Sequence, residues 1–130
     1  MAIPMNGRLS GGAWILSPTG AMTLGSGCEQ VREVLAAKYD AGFHHLILDC
    51  SQLTSVDSHG LGEIVAVYAT IVRRGGSLKL LQPSQRLREL LKITRLDLLL
   101  ECHDDERACV MSFHSQADEK AKQALNEFLK

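Results

Sequence analysis

Hydrophobic and polar residues follow one another in short blocks, and the spacing within each block predicts either a strand or a helix. Residues 8–10 and 13–17 form two short runs suited to strands, and Gly11-Gly12 between them predicts a tight turn. Pro18 and Gly20 end the second run, because proline and glycine interrupt strand pairing. The chain is therefore expected to begin with a β-hairpin.

A helix and a buried strand are predicted next. Apolar residues within 28–40 recur at the spacing of one helix face, and Ser26 with Glu29 forms a capping-box pattern before them. Gly42 is expected to stop this helix. The continuous apolar run over 45–50 suits a strand that is buried on both faces.

The rest of the chain repeats this alternation of strand and helix, which implies a sheet covered by helices. The hairpin makes the sheet mixed, so the predicted fold class is α/β, with about four helices packed on a mixed central sheet. One domain over 1–114 is expected, followed by a weakly docked amphipathic helical tail over 115–130. The further predicted elements are a loop over 51–56, a helix over 60–74, a strand over 77–81, a helix opened by Pro83-Ser84, a short strand over 98–100, and a helix from Asp104 or Asp105 to about Phe113.

Composition narrows the possible functions. The 130 residues suffice for one hydrophobic core, and 14 basic against 15 acidic side chains give no excess charge to attract nucleic acid or a membrane surface. Without a signal-like start or a membrane-spanning apolar stretch, we expect a cytoplasmic protein. The cysteines lack CxxC spacing and the histidines lack HxxxH spacing, so we expect reduced thiols, no bound metal and no cofactor.

The segment Asp57-Ser58-His59-Gly60-Leu61-Gly62 joins a loop to the start of a helix. Taken alone, Asp57-Ser58 is more often a helix N-cap than a modification site. The free N–H groups and positive dipole end at a helix start would still accommodate a phosphate on Ser58 without unfolding the helix. The glycines beside Ser58 would leave room for the backbone of a partner. Asp49, in the preceding strand, either orients the Ser58 loop or caps the strand end.

Residues 46–62 combine a strand, Leu46-Ile47-Leu48-Asp49-Cys50-Ser51, with the Asp57–Gly62 segment. This arrangement resembles the signature of STAS-domain anti-sigma factor antagonists, in which an apolar-apolar-Asp-Leu-Ser strand precedes Asp-Ser-Ser-Gly-Leu-Gly. The similarity continues through 73–80, 91–96 and 20–25, and it covers roughly residues 5–113, which makes it far more specific than one short match. A STAS-like fold is the architecture that the resemblance implies.

The resemblance also implies a mechanism called partner switching. The unphosphorylated antagonist would bind an anti-sigma factor, usually also a serine kinase, and so free a sigma factor. The kinase would phosphorylate Ser58, the complex would dissociate, and a PP2C-type phosphatase would reset the protein. The chain itself would be no enzyme. The residues expected to contact the partner are Asp57, Ser58, His59, Gly60 and Leu61 at the tip, with Thr23 and Leu24 at a neighbouring loop edge and Asp49 in support.

Two departures from the family pattern concern partner choice. His59 replaces the second serine of the signature, and it introduces a side chain that titrates near neutral pH. Thr23 lies near the place where many members carry an acidic residue. The phosphoacceptor Ser58 is retained.

Two alternative functions are compatible with the sequence. A scaffold or accessory subunit of the same fold, such as a stressosome-like component or a subunit of a lipid-transport ABC complex, is the main alternative, and a small-molecule or nucleotide sensor is a third. A hydrolase is disfavoured because G-x-S-x-G is absent. The basic residues Arg73, Arg74, Lys79, Arg86 and Arg88 are interpreted as a solvated helix end. An exposed edge strand near Trp14 could pair two copies into a homodimer.

Overall fold

A computed structural model describes residues 3–114 and 127–129, and it has the mixed α/β architecture that the sequence predicts. In chain order the elements are β1 (Met5–Ser10), β2 (Ala13–Pro18), β3 (Gly20–Met22), α1 (Cys28–Asp40), β4 (His45–Asp49), β5 (Leu53–Val56), α2 (Ser58–Arg73), β6 (Ser77–Leu81), α3 (Gln85–Ile93), a 3-10 turn (Leu96–Leu98), β7 (Cys102–His103) and α4 (Glu106–Ser112). The main sheet has the strand order β1-β2-β4-β6-β7, in which β1 is antiparallel to β2 and the other neighbours are parallel.

The core lies on both faces of the sheet, so β4 is apolar on both sides, as predicted. Leu46 and Leu48 join the larger apolar cluster under α1 and α2, whereas Ile47 joins a smaller one under α4. All three side chains are fully buried. Among the described residues, none of the helices combines the length and the apolar character that crossing a bilayer requires.

Two predicted elements are wrong. Residues 51–56 were expected to be a loop, yet Leu53–Val56 forms β5, which pairs in parallel with β3 in a separate two-stranded sheet. Leu98-Leu99-Leu100 was expected to be a strand, but Leu96–Leu98 forms a 3-10 turn and the short strand is Cys102–His103. Leu99 and Leu100 are buried because the turn folds them into the core, which explains their apolar character without a strand.

The predicted capping box of α1 is also wrong. Gly27, in a left-handed conformation with φ of 77°, occupies the N-cap position, and no side chain caps the helix. Ser26 is instead part of a turn in which its N–H and C=O bond to the C=O and N–H of Thr23, at 2.9 and 3.1 Å. Gly42, with φ of 106°, follows the helix end as predicted.

Lys79 does not belong to a solvated basic surface. It lies in β6, an inner strand of the main sheet; its side chain is 3% exposed, and its Nζ is 2.8 Å from the Glu101 carboxylate. The ammonium also donates to the Ser112 hydroxyl of α4, at 2.8 Å. The Lys79 ammonium is therefore paired inside the domain, beneath α4, and does not face solvent.

The thiols of the described chain are all free, as expected. Cys28, Cys50 and Cys109 are buried and Cys102 is half-buried. Burial raises the pKa of the Cys109 thiol to about 12, so this thiol is protonated at neutral pH and reacts slowly. The predicted helical tail lies outside the described residues, except for 127–129.

Candidate functional site

Ser58 is the first residue of α2, and its side chain is exposed. The helix is capped by Asp57 instead, whose Oδ1 accepts a hydrogen bond from the Gly60 N–H at 2.9 Å. Within residues 3–114 and 127–129 the Ser58 hydroxyl makes no hydrogen bond to another residue. Because Asp57 does the capping, the hydroxyl of Ser58 is available to another molecule.

Asp57 connects two parts of the tip. Its second oxygen, Oδ2, accepts the N–H of Leu24 at 3.1 Å, and Leu24 belongs to the turn that follows β3. Hydrogen bonds from the N–H groups of Gly60 and Leu24 lower the pKa of Asp57, so its carboxylate is ionised at neutral pH. One side chain thus fixes the Leu24 turn beside the start of α2.

Close packing requires glycine at position 60, a requirement that the sequence analysis did not predict. A Cβ at this position would lie 2.0 Å from the Met22 carbonyl oxygen and 3.1 Å from Val56 Cγ1, so only glycine lets α2 approach the β3–β5 sheet. The residue is buried and faces the protein's own backbone. Of the two glycines, only Gly62 can therefore leave space for the backbone of a partner, because a Cβ at position 62 would meet nothing within 4 Å.

Leu61 was expected in the partner surface, but its side chain is buried in the core beneath α2. Asp49 was expected either to orient the Ser58 loop or to cap its strand. It accepts hydrogen bonds from the Ser17 hydroxyl at 2.9 Å and from the Ser51 N–H at 3.0 Å, and so fixes the exit from β4. Asp49 makes no hydrogen bond to the Ser58 segment among the described residues.

The exposed surface beside Ser58 is formed by the Leu24 turn, the start of α1 and His59. Leu24 is 75% exposed, one of several large apolar side chains on the surface of the described chain. Leu24 and His59 line an open groove of about 520 Å³ whose α1 side carries Glu29 and Glu33. Thr23 is half-buried at the base of the turn. The tip therefore offers an apolar residue, an acidic helix side and a free hydroxyl within one region.

The β3–β5 sheet is the part of this site that the sequence analysis missed. It supplies the Met22 carbonyl against Gly60, and β3 leads into the turn that carries Leu24. The sequence signal was available: Thr54 and Val56 are β-branched residues with a strand preference, and a glycine early in a helix is typical of a close backbone contact.

The described residues hold no group of three or more histidine, cysteine, aspartate or glutamate side chains placed to bind a metal ion. The side chains that the tip itself presents are the Ser58 hydroxyl, the Asp57 carboxylate and the His59 imidazole.

Known proteins resemble this chain in sequence and in fold. Over 63 residues, 48% of this chain and 56% of the relative, it is 33% identical to a candidate anti-sigma factor antagonist of Thermotoga neapolitana, a homolog of TM1081. The chain thus spans little more than half the length of that relative. Among solved structures, the candidate anti-sigma factor antagonist TM1081 of Thermotoga maritima has a TM-score of 0.78 at 20% identity, covering 85% of this chain and 95% of that one.

A second solved structure, the Bacillus cell fate determinant SpoIIAA in its phosphorylated form, has a TM-score of 0.63 at 18% identity, with 81% of this chain and 96% of that chain covered. Both structural likenesses concern the fold. The sequence pattern of the STAS domain family matches residues 6–109, which is most of the chain. The protein therefore belongs to the STAS domain family.

Proposed function

We propose that this protein is an anti-sigma factor antagonist whose binding to its partner is switched off by phosphorylation of Ser58. The partner is an anti-sigma factor that is also a serine kinase, and a PP2C-type phosphatase restores the unmodified hydroxyl. The observation that carries the proposal lies at the start of α2: Asp57 caps the helix, and the Ser58 side chain stays exposed. The likeness to the Thermotoga proteins, which are themselves candidate antagonists, supports it.

Phosphorylation would change the charge of the tip without disturbing the core. The kinase forms a bond between Ser58 Oγ and the γ-phosphorus of ATP, and ADP leaves. The phosphate adds about −1.5 to −2 charges beside the ionised Asp57. The start of α2 tolerates this charge because its N–H groups and dipole are positive. A partner that packs closely on the unmodified tip has no room for the phosphate and would have to remove water from its charges, so the complex dissociates.

The partner surface includes Leu24 and the groove beside it. A large apolar side chain that is 75% exposed next to the phosphoacceptor is suited to insert into a pocket of the partner. Glu29 and Glu33 on the groove wall favour a partner with basic side chains at the matching position. Thr23 supports the turn, while His59 supplies a second exposed side chain next to Ser58.

The decisive experiment incubates the protein with the cognate kinase and ATP, maps the phosphate by mass spectrometry, and measures binding before and after. We expect one phosphate, on Ser58, and loss of the complex. Ser58→Ala should remain bound in the presence of ATP. Ser55→Ala is the matched control, because Ser55 is another exposed serine only three residues earlier. It should behave like the wild type.

Two results would contradict the proposal. Phosphate that lands reproducibly on another residue removes Ser58 from the switch. A complex that forms equally well with and without Ser58 phosphate indicates a scaffold or accessory subunit of the same fold.

The role of Leu24 is tested with a pair of exposed leucines. Leu24→Ala should raise the dissociation constant of the partner complex about tenfold, the effect of roughly 1.4 kcal/mol at an interface anchor. Leu98→Ala is the control, because Leu98 is 71% exposed but lies in the 3-10 turn after α3. Equal effects of the two substitutions would exclude the Leu24 turn from the interface.

A further inference from the structure

The outer edge of β1 ends the main sheet, and among the described residues no other strand pairs with it. Strand edges carry free N–H and C=O groups, which proteins commonly protect with charged side chains. The one charged residue of β1, Arg8, is held by Glu106 of α4 through a pair of hydrogen bonds. Leu9 beside it is 62% exposed. The one charged side chain on this edge is therefore held toward α4, although it stays 46% exposed.

The register of the hairpin decides which backbone groups of β1 point outward. Thr19 donates its N–H to the Pro4 carbonyl at 2.9 Å, so Pro4 and Thr19 face each other as a hydrogen-bonded pair. Bonded and non-bonded pairs alternate in an antiparallel ladder, which makes Met5↔Pro18 non-bonded. Pro18, which has no N–H, suits that place. By the same alternation, Gly7 and Leu9 also belong to pairs that form no hydrogen bond between β1 and β2.

The outward N–H and C=O groups of β1 thus belong to Met5, Gly7 and Leu9. The next residue of the same parity, Ile3, is already occupied: its N–H donates to Gln30 Oε1 at 2.9 Å and its C=O accepts from Gln30 Nε2 at 3.1 Å. The edge that is open to another strand is therefore bounded on the N-terminal side by Gln30, and it has Gly7 at its centre.

We infer that β1 pairs with β1 of a second copy of this chain, antiparallel and with Gly7 opposite Gly7 on a two-fold axis. In this register Met5 faces Leu9 of the other copy, and all three outward residues exchange hydrogen bonds, about six in total. The two main sheets become one continuous sheet. This inference does not depend on the proposed switch at Ser58.

Side chains favour this register over its neighbours. Moving the axis to Arg8 would place the two Arg8 side chains opposite each other, which is a like-charge pair. Moving it to Asn6 would require the backbone of Ile3, which Gln30 occupies. With Gly7 at the axis, Arg8 faces Asn6 of the other copy, and the apolar Met5 and Leu9 meet on the opposite face. Gly7 has no side chain at the axis, and a Cβ there would lie 2.2 Å from Trp14 Cζ2.

The first test is sedimentation velocity of the full chain over a range of concentrations. We expect a monomer–dimer equilibrium that Leu9→Pro abolishes, since proline removes an outward N–H and edge positions of this kind tolerate it. Leu9→Ala is the matched control, because it shortens the side chain but keeps the N–H, and it should weaken the dimer only partly. Far-UV circular dichroism and the unfolding midpoint verify that Leu9→Pro is folded.

A charge pair and a cross-link test the register. Asn6→Glu should tighten the dimer, because the new carboxylate faces Arg8 of the other copy, and Asn6→Lys should weaken it. When Asn6→Cys and Arg8→Cys variants are mixed and oxidised, the mixed disulfide should predominate over either symmetrical one, with the wild-type chain as the blank. A monomer at every concentration, a dimer that Leu9→Pro leaves unchanged, or a predominance of symmetrical disulfides would each overturn the inference.

Discussion

Asp57 contributes to the tip through both of its carboxylate oxygens. One caps α2 through the Gly60 N–H, and the other binds the Leu24 N–H of the turn after β3. Asp57, which the sequence places among the expected partner contacts, therefore also stabilises the tip through hydrogen bonds within the protein. Substitutions at Asp57 affect the shape of the tip as well as any partner, so Ser58 is the better residue for separating the two.

The two glycines after Ser58 should respond oppositely to the same change. Gly60→Ala places a methyl group 2.0 Å from the Met22 carbonyl oxygen, so β3 and α2 must separate. We expect a loss of roughly 1–3 kcal/mol in the free energy of unfolding, as for overpacked sites. Gly62→Ala has open space and improves helix propensity, so it should add about 0.5–1 kcal/mol. Urea unfolding measures both, and a stable Gly60→Ala variant would contradict the close contact.

At the scale of elements, α4 is joined to the sheet by a small apolar cluster and a polar one. Phe113, Val110 and Cys109 pack on the sheet, while Lys79 of β6 binds Glu101 and the Ser112 hydroxyl. Glu101 also contacts His103 Nε2, at 2.6 Å. A buried charge that loses its partner is costly, whereas a half-exposed one regains water.

Because Lys79 is more deeply buried than Glu101, removing Glu101 should destabilise the protein more than removing Lys79. Glu101→Ala takes the carboxylate away from a Lys79 side chain that is only 3% exposed, and it should lower the free energy of unfolding by about 3 kcal/mol. Lys79→Met leaves a Glu101 carboxylate that is 30% exposed and keeps His103, so its cost should be smaller. Thermal and urea unfolding compare the two variants. A larger loss for Lys79→Met would contradict the role given to burial.

The same pair has a pH dependence. Burial acts to raise the pKa of Glu101, but hydrogen bonds from Lys79 and His103 outweigh it and hold the pKa below the ordinary 4.5. A lowered pKa in the folded state stabilises the protein above the ordinary value, and this contribution is lost as the pH falls through the folded value. The stability difference between wild type and Glu101→Ala should therefore be constant near neutrality and narrow below about pH 4.5.

The elements that the sequence alone predicted well are those whose own residues carry the signal: helical periodicity, a glycine turn between two strands, or a short apolar run. The helix over 28–40 has the predicted bounds, and the predicted hairpin and the strand over 77–81 are present. The errors fall where tertiary contacts decide: β5 is a strand because β3 lies beside it, and Leu99 and Leu100 are apolar because a turn buries them. At the site, the sequence could not predict the exposure of Ser58 or the hydrogen bonds of Asp57, because either residue could have capped the helix.

For the molecule as a whole, the proposed phosphoacceptor Ser58 is exposed at the start of α2, and its modification should leave the fold intact. Phosphorylated and unmodified protein are expected to have melting temperatures within about 5 °C of each other, the shift that roughly 1 kcal/mol causes in a domain of this size. Differential scanning calorimetry of both forms tests this, with Ser58→Ala as the unmodifiable control. A collapse in stability after phosphorylation would place the effect on folding instead of on binding.

The two hydrogen bonds that Asp57 accepts have a consequence for the kinetics of binding. Because the Leu24 turn and the start of α2 are tied together in the free protein, the recognised surface is ordered before any partner arrives. Association then requires no loop rearrangement and loses little conformational freedom. Under the proposed function, the lifetime of each complex governs how fast one partner replaces another, and a phosphate that shortens that lifetime redistributes the protein without changing its fold.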